Sequence, residues 1–197
     1  MMVSYLAGGR TGEAGERFVA DVAGRITGRP QLTTDGLTHY VQAMEDAFGG
    51  VVDYAVLGKI LGADPDEPRR YSPPRCIGTT TTRVCGNPDP EHISTSYSER
   101  SHLALRMTNR RFTRLTNAFS KKVENHTYAM AVHVYHYNFC RPHRTLTRNA
   151  PVRKPTTPAM AAGMAHRVWT VADLVQMLEV EKVRLEKGGR ISRDSRT

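Results

Sequence analysis

The sequence predicts an α/β fold, and three observations carry that expectation. Over the first 57 residues, β-rich and helical apolar patterns alternate as strand, helix, strand, helix, strand, the order of a sheet joined by helical crossovers. The composition, 39% hydrophobic and 24% charged over 197 residues, supplies one ordinary core and is not that of a disordered polyelectrolyte. From Ser96 onward, helical patterning dominates to near the end of the chain.

Taken in order, residues 2–7 read as a strand ended by Gly8 and Gly9. Phe18, Val19, Val22 and Ile26 recur at helical spacing over 12–27, and Gly28-Arg29-Pro30 stops that helix. Residues 31–34 form a short β-rich run closing at Asp35-Gly36. A helix over 37–48 turns Tyr40, Val41, Met44 and Phe48 inward and ends at Gly49-Gly50, and residues 51–57 are strand-like.

Residues 62–95 interrupt this alternation with prolines and glycine turns, and read as an insertion over the sheet with an exposed hairpin around 77–84. Two long helices are expected at 96–118 and 121–138. After a loop-rich stretch to Pro158, short helices follow at 158–163 and 170–185. Residues 1–146 thus read as one domain, 147–187 as a helical extension and 188–197 as a disordered tail.

Charge is distributed unevenly. Lys and Arg minus Asp and Glu is 9 − 13 = −4 over residues 1–99, 12 − 1 = +11 over 100–154 and 7 − 5 = +2 over the rest. The only acid of the central block is Glu124, and its arginines are interleaved with aromatic and small polar residues, as on a surface that follows a phosphate backbone. The alternative is a solvated helix face that keeps the protein soluble. Three cysteines, Cys76, Cys85 and Cys140, argue against a disulfide framework. The spacing of Cys140 and His143 with His133 and His136 is poor for structural zinc. No apolar run approaches the roughly 20 residues that span a bilayer.

On a helix through 99–119, Leu105, Phe112, Leu115 and Phe119 fall on one stripe and read as buried. Glu99, His102, Arg106, Arg110 and Arg114 fall opposite. Glu99 is then either a first-turn acid paired with Arg100 or Arg106, or a functional carboxylate. Asp35 is either an Asx-turn or helix-cap residue, or a carboxylate at the carboxyl end of a sheet strand, where α/β sheets hold ligands. A strand-end Asp facing a helix Glu is an arrangement that can serve hard divalent cations.

These residues carry a resemblance. The stretch from Ser96 through Glu99 and Arg106 to Phe119, Lys121, Lys122 and His126 resembles the Glu-bearing helices of small insertion-sequence transposases of the DDE, ribonuclease-H-like superfamily. Thr33-Thr34-Asp35-Gly36 is similar to their second-Asp strand, and Tyr137-Asn138-Phe139-Cys140-Arg141-Pro142-His143-Arg144 and Thr157-Pro158-Ala159-Met160 to their closing segment. The resemblance implies a ribonuclease-H-like fold lacking its first strand, with Asp35 and Glu99 as metal-binding catalytic acids for Mg²⁺ or Mn²⁺. It also implies that Arg106, Arg110, Arg114, Lys121, Lys122, Arg141 and Arg144 contact DNA, that transposon ends and target DNA are the partners, and that the chain self-associates in the cytoplasm, at the nucleoid, with no membrane.

The resemblance also has a departure. The family's first Asp lies on a strand upstream of the one that residues 2–7 resemble, so the chain is expected to be an N-terminally truncated copy, catalytically weak or inactive alone. A non-catalytic DNA-binding remnant is the alternative. Asp53, Asp64 and Asp66 are weighed as substitutes and rejected. The lone histidines, with Tyr135, Tyr137 and Trp169, are expected to be packing residues.

Overall fold

The computed structural model describes residues 1–62, 75–113, 116–150 and 153–194, and the chain divides into two compact units. One comprises residues 3–127; the other comprises Met1–Met2 with the chain from Tyr128 onward. The division falls inside the stretch 1–146 that the sequence presents as a single domain.

The first unit is α/β. Thr11 starts α1 (Gly12–Ala23) by accepting the Ala14 N–H at 3.3 Å, satisfying one of the free donors of the first turn. After β1 (Gln31–Thr34) comes α2 (His39–Phe48), which ends where Gly49 turns left-handed at φ 53° and returns its N–H to the Glu45 carbonyl. Then β2 (Asp53–Gly62) pairs in parallel with β1, Gln31 opposite Asp53 and Thr34 opposite Val56. The unit β1-α2-β2 is therefore the crossover that the alternating pattern predicts.

The outer strand was not legible as such. Instead of a hairpin closed on itself around 77–84, β3 (Arg75–Cys85) lies antiparallel along β2, giving a three-stranded sheet in the order β1-β2-β3. Pairing along nearly the whole of β2 covers backbone groups that an edge would leave open. The insertion is part of the sheet. The loop within it, residues 63–74, lies outside the described residues, as do Asp64 and Asp66.

Residues 2–7 form no strand. Met2 bonds through both backbone groups to the Asn138 amide, at 2.9 and 2.8 Å, and the Ser4 hydroxyl donates to Asp21 on α1 at 2.5 Å. The Asn138 side chain thus satisfies the Met2 groups that a sheet ladder would have taken.

The core of this unit joins Val19 of α1, Ala43 and Met44 of α2, and Val52 and Tyr54 at the start of β2. Tyr54 is only 1% exposed, and its hydroxyl shares a 2.6 Å hydrogen bond with Thr34, so its one polar atom is satisfied beside β1. At the far end of β3, Gly86 adopts φ +67°, and a Cβ there would sit 2.1 Å from Asp53 Oδ1. Only glycine fits that turn.

Helix α3 (Ser96–Thr108) ends well before residue 118. Asn109 turns to extended backbone (φ −129°, ψ 107°), and its side chain accepts the Arg111 N–H at 3.1 Å, opening a 3-10 turn over Arg110–Phe112. A short polar side chain bonding its neighbouring backbone competes with helix continuation. Helix α4 (Val123–Tyr135) follows and passes into a π-helical turn, His136–Cys140.

The second unit is helical. Helix α5 (Arg144–Asn149) occupies a stretch read as loop, and α6 (Pro158–Ala161) starts at the fully buried Thr157. Helix α7 (Val171–Asp194) continues through residues expected to be a disordered tail. At its start Asp173 accepts from the Thr170 N–H (2.6 Å) and hydroxyl (2.9 Å) and from the Arg167 guanidinium (2.9 and 2.5 Å). The Arg167 bonds first, and the Thr170 N–H next, hold the Asp173 carboxyl far below the usual range. Tyr135, Phe139 and Trp169 pack together with ring centroids 4.7 to 6.1 Å apart, and Tyr137 meets His143 edge-on at 4.6 Å. These aromatics pack as expected. Among the described residues no helix is long and apolar enough to cross a membrane.

Candidate nucleic-acid interface

The structure positions the two expected acids on different neighbours. Asp35 is exposed just past β1, and it neither caps α2, whose first residue follows Thr38, nor makes a hydrogen bond or ion pair among the described residues. Its charge acts on Tyr40 and Tyr54: burial first, and Asp35 after it, push both phenols above their ordinary value, with Thr34 opposing at Tyr54. Glu99 sits in the first turn of α3 and is bound by the Lys59 ammonium of β2 and, at 2.9 Å, by the Thr95 hydroxyl. Those two bonds, Lys59 foremost, lower the Glu99 carboxyl below its usual range. Neither Arg100 nor Arg106 is its partner.

The two acids stand apart in this arrangement. Glu99 has spent an oxygen on a cation, Asp35 shares no ligand with it, and among the described residues no three His, Cys, Asp or Glu side chains converge on one point. Asp53 adds nothing. Its carboxylate is held by Arg29 (3.0 Å) and the Asn87 N–H (2.6 Å), Arg29 first in lowering its pKa, and it serves to close the turn at Gly86.

The cations are differently placed. In the α/β unit Arg25, Arg29 and Lys59 each hold a carboxylate. By contrast Arg100, Arg106, Arg110, Arg111, Lys121 and Lys122 are exposed and hold none among the described residues. Arg110 does not share the face of Glu99, because the helix has ended at Thr108, and Arg114 lies outside the described residues. Arg106 remains on α3, with its carbonyl accepting from Thr113 at 3.0 Å.

After Asn109 the chain is held by side-chain bonds. Arg110 Nε reaches Thr116 Oγ1 at 3.4 Å, Arg111 donates to Ser120 Oγ at 3.2 Å, and Phe112 lies against His126 with ring centroids 4.2 Å apart. The expected buried stripe survives at Leu105 and in part at Phe112, while Leu115 lies outside the described residues. Phe119 is corrected outright, being 62% exposed. Three residues of this surface escape the sequence reading. Lys59 is one charge on an apolar strand, Arg111 belongs to neither face of the 99–119 wheel, and Phe119 was assigned by a periodicity that Asn109 ends; a helix-breaking Asn before two arginines was the available signal.

In the helical unit Arg141 and Arg144 are exposed at the two ends of the short link between the π turn and α5 and make no ion pair among the described residues. His133 and His143 are packing residues there. Burial first, then the charges of His136 and Arg141 for His133, and of Arg141 and the chain's amino terminus for His143, hold both imidazoles below their ordinary pKa. No protein-family model, curated protein or solved structure matches the chain.

Proposed function

We propose that the protein binds DNA as a relative of the DDE transposases and does so without cutting it. The observation that carries this reading is the set of exposed cations between Arg100 and Lys122 that no carboxylate among the described residues neutralises, whereas Arg25, Arg29 and Lys59 of the same unit each hold one. Unpaired surface cations release the counterions of a phosphate backbone on binding, which gives affinity without sequence readout. The parallel β1-α2-β2 crossover, with Asp35 after its first strand, supports a ribonuclease-H-like lineage for this unit.

A second reading, metal-dependent strand cleavage and transfer in DNA transposition, is favoured by one contact. Lys59 ties Glu99 to β2, the strand paired with the one that Asp35 follows. The two readings separate in one experiment, in which supercoiled plasmid is incubated with the protein in Mg²⁺ and in Mn²⁺ and then scored for retardation and for nicking. Retardation that salt abolishes, with no nicking, is the expected result. Nicking that is lost in both Asp35→Ala and Glu99→Ala would overturn the non-cutting reading in favour of the second, and absence of retardation at low salt would remove the DNA-binding reading.

A further inference from the structure

Phe119 presents a ring to solvent in a segment whose other aromatic, Phe112, has found a partner in His126. The Arg111–Ser120 hydrogen bond brings a guanidinium to the residue after Phe119, and Lys121 and Lys122 follow directly. Arg110 is held by Thr116 on the same segment. One exposed ring thus lies in a segment with four cations that have no carboxylate partner among the described residues, with Glu124 the only acid between residues 100 and 127.

That combination selects the occupant. An apolar protein surface seated on Phe119 would have to desolvate the flanking charges without pairing them, which is costly. A duplex satisfies the charges through its phosphates but keeps its base faces stacked inside, leaving the ring uncovered. A strand with unpaired bases satisfies both, its phosphates lying on the cations and one base stacking on the ring.

We propose that residues 110–113 and 116–122 provide a binding site for unpaired nucleotides, with Phe119 as the stacking platform and Arg110, Arg111, Lys121 and Lys122 as its phosphate contacts. This rests on the DNA-binding reading and adds to it the strand state that is preferred.

The test measures fluorescence anisotropy of a labelled oligothymidylate of about 20 nucleotides and of a duplex of the same length, with the full chain and single variants. Phe119→Ala is expected to weaken oligothymidylate binding about tenfold, the loss of one stacked base, and to leave duplex binding within about twofold. Phe119→Tyr keeps a π face and is expected to bind as the parent does. Arg111→Gln is expected to weaken both nucleic acids. An unchanged oligothymidylate affinity in Phe119→Ala, or an equal loss on both, overturns the inference while leaving duplex binding as evidence for DNA affinity. Failure of the parent chain to bind either molecule overturns the DNA-binding reading itself.

Discussion

Replacing Arg111, Lys121 and Lys122 together by Gln tests the charge argument by its salt dependence. These three, with Arg106 and Arg110, are exposed and hold no carboxylate among the described residues, so each can meet a phosphate. Five phosphate contacts give a slope of log affinity against log salt of about −4.5 on duplex DNA, or about a 500-fold loss between 50 and 200 mM salt. Removing three leaves a slope of about −1.8 and a loss of about 12-fold over the same range. Arg25→Gln is the matched control, because Asp21 already neutralises that guanidinium at 2.8 Å and its removal releases no counterion. The assay is anisotropy of a labelled duplex across that salt range. A slope that stays parental in the triple variant, or that falls as far in Arg25→Gln, would refute the assignment of these cations to phosphate.

Two further perturbations test the fold on which that surface is built. Tyr54→Ala empties a site that is 1% exposed at the junction of β1, β2 and α2, and is expected to cost about 3 to 5 kcal/mol in urea unfolding. Tyr54→Phe removes only the bond to Thr34 and is expected to cost about 1 kcal/mol; equal costs for the two variants would show that the ring is not packed as described. In the helical unit, burial depresses the pKa of His133 and His143 relative to the unfolded chain, so the native state binds fewer protons than the unfolded one at mildly acidic pH. Their contribution is present above about pH 6.5 and lost as pH falls through the lowered folded values, so the urea midpoint should drop as pH falls below about 6.5 and drop less in His143→Leu. A midpoint independent of pH below that value in the parent chain would contradict the burial of these imidazoles.

What the sequence makes legible is what a few neighbouring residues decide. An apolar repeat over 12–27 with Gly28-Arg29-Pro30 after it, four β-rich residues and a glycine pair after Phe48 locate α1, β1 and α2 to within a few positions, because stops act over one turn. What it hides depends on partners far along the chain. The pairing of β3 with β2 is indifferent to which threonine faces which glycine, and the Lys59–Glu99 bond joins residues 40 apart. Residues 2–7 have the right composition for a strand, yet the Asn138 side chain takes both backbone groups of Met2.

The consequence is sharpest at the basic segment. A 100° wheel drawn through residues 99–119 makes Phe119 core and aligns three arginines with Glu99, and both conclusions assume an unbroken helix. One amide, the Asn109 side chain bonded to the Arg111 N–H, ends that helix and removes the premise. Beyond it the cations are organised by individual bonds, Arg110 to Thr116 and Arg111 to Ser120, and these leave Phe119 in solvent. The net charge of +11 over residues 100–154 is independent of conformation and so was readable from composition. The shape that presents it, a ring among unpaired cations and not a stripe of arginines along a helix, follows from where the periodicity stops.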